Sequence, residues 1–153
     1  MSLTSQNFKD IAVSAAQLAD QKLAEDILLL DLRKAHTGIT DYMVIVSANS
    51  QTHLNALRDH IEDSLNDIGL QPAHKEGRKD NAWQILDYGG VLVHLFHQGI
   101  RNNYSIERLW EQARVMEWSK RANGRGNGHA RRFPAPSRKV RKLSRAGTRG
   151  RDR

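Results

Sequence analysis

Residues 83–96 read WQILDYGGVLVHLF, and this stretch decides the fold. Two apolar runs, 83–86 and 91–96, flank a turn that contains Gly89 and Gly90. Paired glycines between runs of strand-forming residues are typical of a β-hairpin. The stretch therefore predicts two antiparallel strands joined by a tight turn.

Upstream of the hairpin, the apolar spacing predicts two helices and two buried strands. Recurrence every three or four residues predicts helices over 5–21 and from about Ser50 to Gly69. The short apolar runs 27–32 and 43–46 predict buried strands on either side of a loop at 34–41. A short edge strand is expected at 71–75.

Downstream of the hairpin, the pattern predicts a last helix marked by Ile106, Leu109, Ala113 and Met116. The predicted order is α-β-β-α-β-β-β-α. A hairpin combined with a helical crossover implies a mixed five-stranded sheet with packed helices, which is an α/β or α+β fold.

Charge divides the 153-residue chain into two parts. Residues 1–118 carry 11 Lys and Arg against 16 Asp and Glu, which leaves −5. Residues 119–153 carry 13 cations and one acid, which leaves +12, and they are rich in Gly and poor in large apolar side chains. Such a segment buries too little surface to offset its ordering entropy. We predict a folded domain at 1–118 and a disordered basic tail at 119–153.

Composition excludes several classes of protein. The chain has no cysteine, which removes disulfides, thiolate zinc sites and cysteine nucleophiles. No apolar run approaches the roughly 20 residues that span a bilayer. The first residues, MSLTSQNFKD, lack the pattern of a secretory signal. We expect a cytoplasmic protein that does not enter a membrane.

Catalytic templates do not match. The sequence has no phosphate-binding G-x-x-x-x-G-K-[ST], no G-x-S-x-G, no H-E-x-x-H and no D-x-D or D-x-E. We therefore expect no catalytic residue, no metal and no cofactor. His94, inside an apolar strand, is interpreted as a buried, hydrogen-bonded histidine; the alternative is a general base without an identifiable partner.

One cluster is typical of a protein interface. Residues 76–88 contain Glu76, Trp83, Asp87 and Tyr88. Tryptophan and tyrosine are enriched at interfaces. Along a strand, Trp83 and Asp87 share one face, whereas Tyr88 lies on the other. Trp83 either anchors a basic partner or only covers the sheet edge.

An ordered set of segments resembles the ribosomal silencing factor family, also called the Iojap family. The resemblance covers roughly residues 8–113. The segments are 24–31, 39–50, 76–77, 83–89, 91–96 and 106–110.

The resemblance implies a nucleotidyltransferase-like core without catalysis. It implies binding to the large ribosomal subunit through ribosomal protein L-fourteen, which blocks joining of the small subunit and represses translation under nutrient limitation. It also implies a possible homodimer in the free state. Carried over residue by residue, it assigns Trp83, Asp87 and Tyr88 to the contact surface, together with Glu76, Asp41 and Tyr42. Asp41 and Tyr42 could instead be structural residues that cap the second strand.

Two features depart from the family pattern. Gly90 stands where an acid is usual, and residues 99–103 replace a more acidic stretch. The basic tail is not part of the family motif as read here. Its cations should bind phosphate, and we expect contact with ribosomal RNA, or else only non-specific binding by a solvated tail. The tail residues expected to bind RNA are Arg131, Arg132, Arg138, Lys139, Arg141 and Lys142.

Overall fold

The computed structural model describes residues 5–35, 38–101 and 113–119. They lie within residues 1–121, the first of two units into which the chain divides. The helices and strands are, in chain order, α1 (Ser5–Gln21), β1 (Glu25–Asp31), β2 (Tyr42–Ala48), α2 (Gln51–Asp67), β3 (His74–Glu76), β4 (Trp83–Asp87), β5 (Val91–His97), α3 (Gln98–Arg101) and β6 (Arg114–Met116).

The described strands form one mixed sheet in the order β3-β4-β5-β2-β1-β6. β2 and β5 pair in parallel, and every other neighbouring pair is antiparallel. The predicted α/β class, the β4–β5 hairpin and the α2 crossover are confirmed. The edge strand β3 begins three residues later than predicted.

The predicted strand count and the end of the last helix are wrong. Ala113 and Met116 were expected on a helix, but Met116 lies in the sixth strand, where it pairs with Leu29 of β1. This pairing covers the backbone groups that β1 would otherwise leave open at the sheet edge. Met116 also packs against the core. Ile106 and Leu109 lie outside the described residues.

Both long helices cover one face of the sheet. α1 contributes Ile11 and a row of fully buried alanines, whose small side chains allow the helix to approach the strands closely. α2 contributes Leu54, Leu57 and Ile61 to the same cluster. The hydroxyl of Ser50 accepts the N–H of His53 and caps α2, as the sequence predicts.

The opposite face of the sheet is covered over only part of its width. Over β1 and β2, residues such as Leu30 and Ile45 are fully buried. Ala35, Ile100 and Ala113 pack against this part. Over β4 and β5, Trp83, Ile85, Asp87, Leu92 and His94 remain partly accessible, whereas Phe96 is fully buried. The described residues therefore leave this region of the sheet partly accessible.

Candidate functional site on the open sheet face

The accessible region of the sheet brings together side chains from three neighbouring strands. Strand register places them on the same side, because cross-strand partners share a face. We call this region the open face. Its members are Glu76 of β3, Trp83, Ile85 and Asp87 of β4, and Leu92 and His94 of β5. Glu76 is exposed and the other five are half-buried.

Trp83 is held in a defined orientation on this face. Its ring stacks on Phe96, with 5.0 Å between centroids and 23° between planes. Its indole N–H donates to Nδ1 of His94 at 3.1 Å. Phe96 and His94 are themselves nearly parallel, at 8°. Stacking on Phe96 and the hydrogen bond to His94 thus hold a large aromatic ring in place at the surface.

His94 is a neutral histidine in this setting. Burial among apolar neighbours lowers its pKa to about 4, while the negative charge of Glu76 opposes that shift. An indole N–H can only donate, so Nδ1 accepts and the imidazole proton resides on Nε2. Nε2 is buried and has no hydrogen-bond partner among the residues that the structure describes. The predicted hydrogen-bonded histidine is confirmed at Nδ1.

The two carboxylates of the open face differ in their local bonds. Asp87 Oδ1 accepts the N–H of Gly89 at 2.8 Å, which stabilises the turn of the hairpin. Glu76 lies 3.3 Å from Nε2 of His74 and is largely exposed. Trp83 and Asp87 are separated along β4 by about 13 Å. The anchor and the two acids therefore form a broad surface rather than a pocket.

None of the strand residues directed to the side of the open face, within the described ranges, is a lysine or an arginine. Arg101 of α3 lies on the same side of the sheet as the open face, where it donates to Oγ of Ser47, the cross-strand neighbour of Phe96, at 2.7 Å. Lys75 points the other way and pairs with Glu62 of α2 at 2.8 Å. The face thus combines apolar and aromatic area with two carboxylates. This chemistry suits a partner that presents basic and apolar groups.

A polar network holds the segment that leads into Trp83. The fully buried Gln84 donates to Asn55 of α2 at 3.0 Å and accepts from Arg58 at 2.9 Å. Arg58 also donates to the carbonyl of Gly77 at 2.7 Å. The loop between β3 and β4 is thereby tied to α2. Sequence reasoning missed this network, because a single glutamine in an apolar strand is a weak signal.

Two predicted contact residues do not lie on the open face. Tyr42 is fully buried and Tyr88 is 5% exposed, and both belong to the core beneath the helices. Burial raises the pKa of the Tyr88 hydroxyl, and the charge of Glu62 adds to the effect. In this structure neither side chain offers a surface to a partner. They support the sheet instead, which was the alternative considered for Tyr42.

Asp41 lies at the far end of the sheet from Trp83. Its carbonyl accepts the N–H of Leu32, and its side chain lines a cavity of about 420 Å³. Arg33 lines the same cavity and pairs with Asp31 at 2.8 Å. Hydrogen bonds from Arg33 hold the pKa of Asp31 below its ordinary value. Asp41 and Trp83 are not brought together, so Asp41 is not part of the open face.

The remaining expectations concern residues and groups beyond the open face. The six tail residues expected to bind RNA lie outside the described residues. In the part of the chain that the structure describes, no three His, Asp or Glu side chains cluster so as to hold a metal ion. No helix within those same ranges has the length and apolar character needed to cross a bilayer.

Comparison with known proteins gives one consistent family. The family model described as "Ribosomal silencing factor during starvation" matches residues 5–145. The match extends well into the basic tail, so the expectation that the tail lies outside the family motif is wrong. Ribosomal silencing factor RsfS of Bacillus subtilis is 37% identical over 111 residues, which cover 72% of this chain and 93% of the relative.

Two further proteins extend the comparison, one through its sequence and one through its structure. A mouse protein, "Mitochondrial assembly of ribosomal large subunit protein 1", is 30% identical over 96 residues, which cover 61% of this chain and 42% of that protein. A crystal structure of a Bacillus halodurans protein superposes with a TM-score of 0.61 at 27% identity, covering 71% of this chain and 98% of the other. The mixed α/β architecture thus occurs in an experimentally determined relative.

Proposed function

The chain belongs to the family of ribosomal silencing factors, and from this premise we propose that it binds the large ribosomal subunit and keeps the small subunit from joining it. Translation falls as a consequence. The words "during starvation" in the family description support action under nutrient limitation. The proposed effect is steric and requires no catalysis. It takes place where the ribosomes are, in the cytoplasm.

The observation that carries the proposal is the open face. It presents an oriented Trp83 next to Ile85 and His94. Leu92 and Asp87 lie further along the same face, and Glu76 lies on the edge strand β3. Central aromatic anchors surrounded by polar groups are typical of protein interfaces. We propose that this face docks on ribosomal protein L-fourteen. Ribosomal proteins are basic, and the −5 charge of residues 1–118 would favour the encounter.

The basic tail has a different role in this proposal. Residues 119–153, with a net charge of +12, contact ribosomal RNA next to the docking site. Cations there displace counterions from the phosphate backbone, which adds affinity without sequence preference. We further propose that the free protein forms homodimers, as the family resemblance implies.

A second candidate function is RNA binding that depends mainly on the tail. The charge of residues 119–153 favours it, since thirteen cations in one segment bind any exposed phosphate backbone. In that case the acidic domain would make little contribution to ribosome binding. Both subunits would then be bound equally, because both expose RNA.

Sedimentation of purified subunits distinguishes the two candidates. We expect the protein to co-sediment with the large subunit and to lower the yield of joined ribosomes in proportion to its occupancy. Large subunits depleted of L-fourteen are the matched control and should retain only weak, salt-sensitive binding. Equal binding to both subunits with normal joining would contradict the proposal and favour the RNA-binding candidate.

A further inference from the structure

We propose that His94 is a positioning residue for docking: its Nδ1 fixes the Trp83 indole in the orientation that the partner recognises. The inference rests on the proposed function, since it assumes that Trp83 is the anchor. It adds to the docking face a residue of β5, His94, which acts through its bond to Trp83.

The contacts of Trp83 show how the orientation is fixed. Stacking on Phe96 defines the plane of the ring, and a ring flipped by 180° would keep this stacking but would turn Nε1 away from His94. The bond from Nε1 to His94 Nδ1, at 3.1 Å, allows one of these orientations. An anchor that is ordered before binding loses less side-chain entropy when it docks. The acceptor on His94 therefore contributes to affinity without touching the partner.

The unpaired Nε2 of His94 argues against a purely structural role. A buried N–H without an acceptor lowers stability. Phenylalanine at this position would keep the stack on Phe96 and remove the unpaired donor. What phenylalanine lacks is the acceptor for Trp83. The one feature that only the histidine supplies is thus the feature that orients the indole.

Two conservative variants separate the two ring nitrogens. In His94→Asn the amide oxygen occupies the position of Nδ1, so the acceptor for Trp83 is retained. In His94→Gln the amide reaches the position of Nε2, and the acceptor is lost. His94→Phe provides a second variant without an acceptor. Amide NMR spectra establish that each variant is folded.

The state of the indole is read directly by NMR. The sequence has three tryptophans, and the Trp83 indole N–H resonance is assigned by its disappearance in Trp83→Phe. A hydrogen-bonded indole N–H resonates downfield and exchanges slowly with solvent. Binding of each variant to purified large subunits is measured alongside. We expect His94→Asn to keep both the indole bond and binding within about twofold, as its acceptor is intact.

In His94→Gln and His94→Phe we expect the indole bond to be lost and affinity to fall about five- to tenfold, corresponding to one hydrogen bond. The inference is overturned by a folded variant that has lost the indole bond and binds like the wild type, or by one that has kept it and binds weakly. The Trp83→Ala variant distinguishes failure of the His94 inference from failure of the docking proposal. If Trp83→Ala binds normally, the docking face itself is wrong.

Discussion

Trp83 combines two properties that single residues seldom share, since it is tightly held and still half-exposed. Its ring stacks on Phe96 and bonds to His94. A side chain that served only to fill the sheet edge would not need a hydrogen bond to a buried histidine. Substitution of Trp83 tests its role as an anchor.

Replacing Trp83 with alanine should weaken binding to the large subunit by about 2 kcal/mol or more, roughly thirtyfold, because a central aromatic anchor is lost. Equilibrium binding to purified subunits measures the effect. Ile68→Ala is the matched control, as it removes an exposed apolar side chain at the end of α2, away from the open face. Equal affinities of the two variants would remove Trp83 from the interface.

His94 should make stability depend on pH. Its pKa is about 4 in the folded chain, compared with 6.5 when unfolded, so the unfolded state binds more protons between these values. The stabilisation is complete above pH 6.5 and is lost as the pH falls towards 4. The total loss is up to about 3 kcal/mol. Urea unfolding across this range measures it.

His94→Phe provides the control for that titration and should flatten the curve between pH 6.5 and 4. Asp31 acts in a separate range. Its pKa lies below 3.8 because of hydrogen bonds from Arg33, so its contribution disappears only at still lower pH. The same slope in the variant and the wild type would show that other groups cause the pH dependence.

Alternation along β4 could be predicted from the sequence, but the face that the helices cover could not. The pattern correctly separates Trp83 from Tyr88. The two side chains therefore lie on opposite faces of the sheet, and Tyr88 belongs to the core. Only the packing of α1 and α2 shows that the Tyr88 face is the interior.

At the scale of elements, α1 is joined to the hairpin by a close contact between Phe8 and Gly90. A methyl group added to Gly90 would overlap the Phe8 ring. The resemblance leads one to expect an acid at this position, and the ring of Phe8 occupies the space that its side chain would need. The departure from the family pattern is therefore compensated by the first turns of α1.

Gly90→Ala should lower the free energy of unfolding by about 1–3 kcal/mol through overpacking. Phe8→Ala in the same chain should recover part of that loss, so the two effects should be non-additive by more than about 0.5 kcal/mol. Thermal or urea unfolding measures both. Gly99→Ala is the matched control, because a methyl group there meets only ordinary contacts. Strict additivity of Gly90→Ala and Phe8→Ala would contradict the coupling.

The predicted elements that hold up are those whose signal is local. Helix α2 has both an apolar period and a serine cap, and the β4–β5 hairpin has its glycines. β6 has neither. Its three residues form a strand by pairing with the edge of β1, which is distant in sequence. Local sequence patterns therefore do not predict β6.

At the scale of the whole molecule, charge is the dominant asymmetry. Residues 1–118 carry −5 and residues 119–153 carry +12. The two parts should differ in their response to salt on a ribosome, since phosphate contacts weaken steeply with salt whereas apolar docking weakens little.

Deleting residues 119–153 should reduce affinity for the large subunit at low salt and flatten the dependence of affinity on salt, while preference for the large subunit remains. Titrations at several salt concentrations against each subunit measure this. A chain with the tail cations replaced by Ser and Gly at equal length is the control for tail length. Complete loss of binding on deletion would indicate that the tail, not the open face, is the main binding element.

The sheet order also sets a sequence of events during synthesis. β5 lies between β2 and β4, and it pairs in parallel with a strand that emerges from the ribosome about fifty residues earlier. Until β5 is made, β2 has one open edge and an unbroken run of residues destined for burial. Such an edge can pair with other chains. A nascent chain that stalls before residue 97 is therefore an aggregation hazard, and a factor that restrains translation has itself a fold that depends on uninterrupted elongation.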